Sequence, residues 1–458
     1  MARSITSTKK RADERARRPA RDYNVGLPAR RVAVGLLRAV LSDRQPLDEA
    51  LVSSRAAREM SGLAERDRGL ARAIASTTLR RLGQIDAVLS EFLEKDLPKR
   101  SGPVRDILRA ATCQLLFLDA PAHAVIDLAV TQCKQDRNAR HFAKLANAVL
   151  RRVAEHGREI VARQDAAHLN TPNWLWGRWT TDYGEDTARR IGEAHLQPAA
   201  LDLSVKQDPE GWAKRLGGVA LPTGSVRVAH SGPIDKLEGF SAGEWWVQDT
   251  AAALPAKLLG DISGKRIADL CAAPGGKTAQ LALAGAQVTA VDTSKRRLER
   301  LAENMDRLGL TVETVCGDAL SWHDEQVFDG VLLDAPCTGT GTLRRHPDIA
   351  RLKTEKDLKE LTRLQARLLR HATTLLRPGG VLVYCTCSLE NAEGEAQVED
   401  LLSEVSTIRR APIEAGDIDG SKSWISDRGD LRTLPFDLAV DGCAPGLDGF
   451  FASRLVAN

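Results

Sequence analysis

The sequence RIADLCAAPGGKT (residues 266–278) runs from an apolar strand into a helix through a pair of glycines. Gly275 and Gly276 allow the backbone of such a turn to come close to a bound ligand. Further β-rich runs follow at 287–292, 311–316, 328–336 and 379–388, and helical stretches such as 294–309 and 355–376 lie between them. This alternation predicts an α/β domain over residues 241–458, with a parallel sheet and helices on both faces.

Acidic residues follow successive strands at the carboxyl edge of the predicted sheet, where such sheets bind ligands. Asp292 ends the second strand and is placed to accept hydrogen bonds from ribose hydroxyls, and Asp318 follows the third strand and could meet an adenine amino group. NAD is disfavoured because GxGxxG and a second mononucleotide half are missing, and GGKT is not a P-loop because GxxxxGK[ST] is missing. S-adenosylmethionine fits better, since it has a ribose and an adenine but no phosphate.

Thiols follow the fourth and fifth strands. Strand four leads to Asp334 and Cys337, and strand five carries Cys385 and Cys387. These strands are neighbours in a doubly wound sheet, so Cys337 and Cys387 should face one pocket. A thiolate that adds to carbon 6 of cytosine can activate carbon 5 for methylation, and Asp334 is placed to stabilise charge at N3 of the ring.

The residues alone do not choose between the thiols. Residues i and i+2 of a strand point to the same side, so Cys385 stays a candidate beside Cys337 and Cys387. A lone cysteine is more often a small buried hydrophobe, which is the role expected of Cys271, Cys316 and Cys385.

The spacing of apolar residues predicts helices over residues 25–157. Val32, Leu36, Leu37, Val40 and Leu41 lie on one helical stripe. We expect an all-α bundle with several arginines partly on its outer face, and then a connector subdomain over residues 158–240. The arginines are Arg66, Arg68, Arg72, Arg80 and Arg81.

Composition limits the class of protein. The chain has 458 residues, 43% hydrophobic and 28% charged, which excludes wholesale disorder and a fibrous repeat. No apolar run or leader pattern indicates a membrane span or a secretory signal. The eight cysteines show no CxxC or zinc-ligand spacing, which predicts no metal site and a reducing, cytoplasmic location.

Residues 1–24 hold eight Lys or Arg against three acids, which predicts a flexible basic arm that either contacts a polyanion or only aids solubility.

Four motifs in order carry a family resemblance: DLCAAPGGKT, VDTSKRRLERLAENMDRLG, DAPCTGTGTLRRHPDI and YCTCSLENAEGE. Together they resemble the bacterial 16S ribosomal RNA cytosine-C5 methyltransferases of the Sun/Fmu type, which belong to the NOL1/NOP2/Sun group. LANAVLRR (145–152) resembles the NusB-like RNA-binding domain that precedes this core, and DGFFASRLV (448–456) resembles the final strand. The resemblance implies a Rossmann-like domain that uses S-adenosylmethionine to form 5-methylcytosine in RNA. The RNA substrate that it implies is 16S rRNA.

The resemblance also implies roles for single residues. Cys387, in the TCS motif, would be the nucleophile, Cys337 would assist product release, and Asp334 would reach the base. The cofactor pocket would be lined by Cys271, Ala272, Ala273, Pro274, Gly275, Gly276, Lys277, Asp292, Asp318 and Asp334.

One stretch departs from the family pattern. Relatives carry Arg-Val-Asn in a strand after the connector helix, and this chain has LDLSVK (201–206) there. Arg344, Arg345 and His346 remain candidates for RNA or active-loop contacts.

Two other functions are alternatives to methylation of 16S rRNA: a transfer RNA methyltransferase of the same chemistry and a non-catalytic ribosome-assembly factor. A monomer is the default expectation.

Overall fold

The computed structural model describes residues 26–98, 100–229 and 232–458, and the basic arm predicted over residues 1–24 lies outside them. The chain forms two compact units. The first contains residues 26–78 and 85–160, and the second contains residues 79–84 and 161–458. In the described part of the chain, no helix combines the length and the hydropathy that a bilayer span requires.

The first unit is helical, so the predicted all-α bundle is confirmed. The stripe expected on the first helix is buried at Val32, Leu36, Leu37 and Val40. On the last helix, Ala146, Val149 and Val153 repeat the same spacing and are also buried. The helices are α1 (Leu27–Leu41), α2 (Leu47–Ser53), α3 (Arg55–Ser61), α4 (Glu65–Arg80), α5 (Leu82–Ser90), α6 (Val104–Phe117), α7 (Ala122–Gln135) and α8 (Ala143–Ala162).

The second unit begins with α9 (Ala166–Asn170), α10 (Asn173–Tyr183) and α11 (Glu185–His195). A small antiparallel sheet of order β2-β3-β1-β4 follows. Its elements are β1 (Leu201–Val205), α12 (Pro209–Leu216), β2 (Val219–Ala220), β3 (Ser225–Val228) and β4 (Trp245–Val247). The sequence did not reveal this sheet, because its strands are short and separated by glycines and prolines.

The departure from the family pattern in β1 has a local structural explanation. Asp202 pairs in register with Arg227 of β3. The guanidinium donates to the carboxylate at 2.7 and 2.8 Å, and both side chains are almost fully buried. An acid is therefore accommodated in β1 because its neighbouring strand supplies the matching cation.

The large sheet has the order β10-β12-β9-β8-β5-β6-β7, and β11 pairs with β12. Strands β9, β8, β5, β6 and β7 are parallel, as predicted. The sheet as a whole is mixed, because the final strand β12 runs antiparallel to β9, and β10 and β11 each pair antiparallel with β12. The strands are β5 (Arg266–Leu270), β6 (Gln287–Asp292), β7 (Glu313–Cys316), β8 (Phe328–Asp334), β9 (Leu376–Thr386), β10 (Ile408–Arg410), β11 (Leu431–Thr433) and β12 (Phe450–Ala457).

Helices cover both faces of this sheet, as the sequence predicted. Alternate residues of β8 pack in opposite directions: Val331 and Leu333 contact one cluster of buried side chains, and Leu332 contacts the other. The helices are α13 (Thr250–Lys257), α14 (Gly276–Leu283), α15 (Lys295–Leu308), α16 (Ile349–Leu352), α17 (Glu355–Thr374), α18 (Glu395–Glu404) and α19 (Ala415–Ile418). The result is a Rossmann-like domain whose parallel strands end at one common edge.

Candidate active site

The glycine turn lies at the carboxyl end of β5. Gly275 has φ of 99°, a left-handed backbone conformation that favours glycine, and a Cβ atom there would lie 2.8 Å from Leu301 Cγ. Helix α14 begins at the next residue. The absence of a side chain at Gly275 therefore lets the turn pack tightly against α15 at the edge of the sheet.

Two predicted cofactor ligands lie at the neighbouring strand ends. Asp292 ends β6, is buried, and accepts hydrogen bonds from the amides of Ala273 (3.2 Å) and Ser294 (2.9 Å). Asp318 follows β7, is exposed, and accepts from the amide of Leu320 at 3.0 Å. Asp292 thus anchors the glycine turn directly, which the sequence reasoning did not foresee.

Asp269 is a further acid in β5, beneath the turn. It is fully buried and accepts a hydrogen bond of 2.6 Å from the hydroxyl of Thr278. Burial raises the pKa of this carboxyl from 3.8 to about 7, although the Thr278 hydroxyl opposes the shift. The native state therefore favours the protonated acid over the pH range in which an unfolded chain would ionise it.

This shift predicts a pH-dependent stability. Because the native pKa of Asp269 is raised, its contribution to the free energy of unfolding is complete below about pH 4 and is lost as the pH rises through about 7. We expect Asp269→Asn to remove up to about 4 kcal/mol of that pH dependence, since asparagine does not titrate. Urea unfolding of both proteins at pH 4 and pH 8 measures the difference. Identical pH dependence in the two proteins would contradict the assignment.

Lys277 and Asp334 form the central ion pair of the site. The ammonium of Lys277 lies 2.7 Å from Asp334 Oδ2 and 5.0 Å from the centre of the Phe450 ring. The Lys277 side chain is 9% exposed, so it is not a solvated surface lysine. Burial alone would lower the pKa of Lys277, but the nearby Asp334 carboxylate and the Cys385 and Cys387 sulfurs raise it. The lysine therefore carries its charge next to the thiols.

The two proposed reactive thiols lie side by side. Strand β9 ends at Thr386, so Cys387 follows the strand instead of continuing its alternation. Its Sγ lies 3.4 Å from Cys337 Sγ, as expected from the adjacency of β8 and β9. The contact with Cys387, together with burial, raises the pKa of the Cys337 thiol well above its usual value.

Cys385 occupies a different environment. It is fully buried, and its thiol contacts Asp334 Oδ1 at 3.6 Å. Burial raises the pKa of this thiol well above its usual value. Of the three thiols that the sequence left open, Cys385 has no exposed surface that a substrate could reach.

The other cysteines differ from one another. Cys271 is half-buried in the turn, and burial raises the pKa of its thiol to about 12. The expectation that Cys316 is buried is wrong. This residue ends β7, which in the described part of the chain pairs with β6 alone and forms an edge of the sheet.

The basic run after the Cys337 loop is not an exposed cluster. Arg344 is 4% exposed and donates to the carbonyl of Pro445 at 2.8 Å. Arg345 forms ion pairs with Asp249 and with Asp448, the latter at 3.1 Å. His346 is half-buried. Both arginines bond to carbonyls and carboxylates inside the second unit, so the run does not form an exposed basic surface, and its role in RNA or active-loop contacts stays a prediction.

Glu393 is a residue of the site that sequence reasoning missed. It ends a short 3₁₀ turn (Asn391–Glu393) and is fully buried. Its carboxylate accepts hydrogen bonds from Thr338, next to Cys337, and from Ser388, next to Cys387. Glu390, Glu393 and Glu395 all lie in one quoted motif, and nothing in their spacing indicates which of them bonds to both loops.

Comparison with known proteins supplies independent information. Residues 256–456 match a family model described as 16S rRNA methyltransferase RsmB/F, and residues 27–155 match the NusB family. A ribosomal RNA small subunit methyltransferase B of Xylella fastidiosa is 37% identical over 406 residues, covering 85% of this chain and 92% of that protein.

Solved structures show the same fold. The crystal structure of PH0851 matches with a TM-score of 0.75 and 23% identity, over 94% of this chain and 98% of that one. A methyltransferase homolog protein from Pyrococcus horikoshii has a TM-score of 0.52 and 28% identity, covering 62% of this chain and 94% of that one.

Proposed function

Because the chain belongs to the 16S rRNA methyltransferase RsmB/F family, we propose that it methylates carbon 5 of a cytosine in 16S rRNA through a covalent cysteine adduct. The observation that carries this proposal is the 3.4 Å separation of two thiols beside the Lys277–Asp334 ion pair. Cytosine carbon 5 is a poor nucleophile, and a thiolate that adds to carbon 6 is a direct way to activate it.

The methyl donor of this reaction is S-adenosylmethionine. Asp292 and Asp318 supply carboxylate acceptors at the ends of adjacent parallel strands, which suits ribose hydroxyls and an adenine amino group. The Gly275 turn, which joins β5 to α14, lies beside them. Cys271, Ala272, Ala273, Pro274, Gly276 and Lys277 form the rest of this turn. When bound, the cofactor supplies the methyl group that carbon 5 receives.

Cys387 is the proposed nucleophile. The charge of Asp334, with a smaller contribution from Cys387, raises the pKa of Lys277, so a charged ammonium lies beside the attacking sulfur. The thiolate adds to carbon 6, and the electrons of the C5–C6 double bond become available at carbon 5. The addition places negative charge on N3, and Asp334 is positioned by Lys277 to pass a proton from the Lys277–Asp334 pair to N3, which neutralises that charge. The proton returns to the pair when elimination restores the ring.

Cys337 is proposed to assist elimination. After methylation, the carbon 5 proton leaves to water, the C5–C6 double bond re-forms, and the bond from carbon 6 to Cys387 breaks. The raised pKa of Cys337 keeps its proton in place. Its S–H group therefore stabilises the departing thiolate of Cys387 across the 3.4 Å contact.

Methylation of RNA from a strain that lacks the gene tests this proposal. The purified protein and labelled S-adenosylmethionine should methylate small-subunit RNA, and bisulfite sequencing should find one new 5-methylcytosine. Incorporation into transfer RNA alone would contradict the assignment of substrate. Cofactor binding without incorporation into any RNA would favour an assembly factor.

The helical unit offers a surface for RNA contact. A groove of about 710 Å³ lies between α7 and α8. Lys134, Lys144 and Arg151 are exposed along it, and within the described ranges none of the three forms an ion pair. Among the described residues that line this groove, Asp127 is the one acid. Unpaired cations along a groove fit the phosphate backbone of RNA.

Charge reversal tests this surface. We expect the triple variant Lys134→Glu, Lys144→Glu, Arg151→Glu to weaken RNA binding by roughly tenfold or more at moderate salt, and to reduce the dependence of Kd on salt. Filter binding at several salt concentrations measures both effects. The matched control is Arg55→Glu, Arg58→Glu, Lys95→Glu, which changes the net charge equally outside the groove. Equal losses in the two triple variants would contradict a local RNA contact.

A further inference from the structure

We propose that Glu393 is a positioning residue whose buried carboxylate holds the Cys337 loop and the Cys387 loop against each other. The proposal rests on the proposed function, because it concerns the two thiols of that reaction.

The contacts of Glu393 span three separate segments of the chain. Oε1 accepts from the Thr338 amide at 2.9 Å and from Gln365 Nε2 of α17 at 3.0 Å. Oε2 accepts from the Ser388 hydroxyl at 2.6 Å and from the Thr338 hydroxyl. Thr338 and Ser388 each follow a reactive cysteine directly, so one carboxylate connects both thiol loops to a helix that covers the sheet.

Glu393 differs in its ion pairing from the two nearby glutamates, Glu390 and Glu395. Glu390 pairs with Arg178 at 2.5 Å, and Glu395 pairs with Arg432 at 2.6 Å. Within the described residues Glu393 has no such cation, although it is fully buried. Burial of a carboxylate is costly unless its oxygens are hydrogen-bonded. Its hydrogen bonds to the two loops are therefore the contacts that stabilise it, and they are the contacts that fix the thiols.

The negative charge of Glu393 also affects the pKa of the Cys337 thiol. The groups that face Cys337 are Cys387, Glu393 and Asp334, and each disfavours a thiolate there. The contact with Cys387 and burial are the largest causes of the raised pKa of Cys337, and the Glu393 charge adds to them. Removing the charge of Glu393 should lower the pKa of Cys337, whereas a residue that only filled space would leave it unchanged.

Two substitutions separate the hydrogen bonds from the charge. Glu393→Gln keeps Oε1 for Thr338 N and Gln365, and its new amide can donate to the hydroxyls of Ser388 and Thr338. Glu393→Ala removes all of these bonds. Glu390→Gln is the matched control, since Glu390 is equally buried and lies three residues away, and its carboxylate accepts from Arg178 and Trp179 and from neither cysteine loop. Its backbone amide, which donates to the Ser388 hydroxyl, is unchanged by this substitution.

The first readout needs neither RNA nor cofactor. Dibromobimane becomes fluorescent when it bridges two nearby thiols, and we expect it to bridge Cys337 and Cys387 in the parent protein, Glu393→Gln and Glu390→Gln. Bridging should be much slower in Glu393→Ala. The pH at which Cys337 becomes reactive to iodoacetamide, followed by peptide mass spectrometry, should fall in Glu393→Gln.

The second readout is catalytic. Misplacement of reacting groups by about 1 Å can cost about a hundredfold in rate, so kcat should fall by about that factor in Glu393→Ala with little change in KM for RNA. Glu393→Gln should recover most of kcat. Unchanged bridging and kcat in Glu393→Ala, or a Glu393→Gln protein no better than Glu393→Ala, would overturn the proposal. If the parent protein transfers no methyl group, the proposed function fails, and the bridging assay still decides the role of Glu393.

Discussion

Replacing Cys387 by alanine is expected to abolish methyl transfer, with a loss of roughly a thousandfold or more in kcat, since removal of a nucleophile eliminates the covalent route. The fold should survive, because Cys387 lies after the end of β9 and is only half-buried. Incorporation of labelled methyl groups into RNA measures the loss, and equilibrium dialysis should show unchanged cofactor binding.

Cys443→Ala is the control for this experiment. Cys443 is also half-buried, and its thiol contacts the carbonyl of Val440, away from both thiol loops. It should retain parental activity. If Cys387→Ala keeps its activity while Cys337→Ala loses it, the nucleophile is Cys337, and the roles of the two thiols are reversed.

Asp334→Asn is expected to produce the second large loss, about 10²- to 10⁴-fold in kcat. The substitution removes the carboxylate that interacts with the ring and leaves Lys277 without the partner that lies 2.7 Å away. The pKa of Lys277 should fall, because Asp334 is the largest of the influences that raise it. The pH profile of kcat, compared with that of the parent, shows whether the charge of Lys277 has changed.

Asp329→Asn is the matched control for Asp334. Asp329 lies on the same strand, near its amino end, and pairs with Arg377 at 2.7 Å. Its loss removes a carboxylate from β8 without touching the carboxyl edge. Equal losses of activity in the two variants would mean that the effect of Asp334→Asn is structural.

The sequence predicted the parts of this protein that depend on local pattern. The alternation of apolar runs and helices after residue 245 predicted the parallel strands, and the spacing in α1 predicted its buried stripe. Adjacent strands four and five predicted that Cys337 and Cys387 would meet, because parallel strands end at one edge. These features need only periodicity and strand order.

The features that the sequence did not predict depend on pairing between distant segments. The antiparallel return of β12 and the small sheet of β1 to β4 are set by long-range register. Arg345 and its partners Asp249 and Asp448 are far apart in sequence, so a basic run that suggested exposure is in fact internal. The bonds of Glu393 to both cysteine loops have the same origin.

The most direct test of the central claim is to isolate the covalent species. In Cys337→Ala, elimination should slow, so a protein–RNA adduct should accumulate when RNA and S-adenosylmethionine are present. Nuclease and protease digestion followed by mass spectrometry should place a methylated cytidine on the peptide that contains Cys387. An adduct on any other cysteine, or turnover by Cys337→Ala at the parental rate with no adduct, would contradict the account.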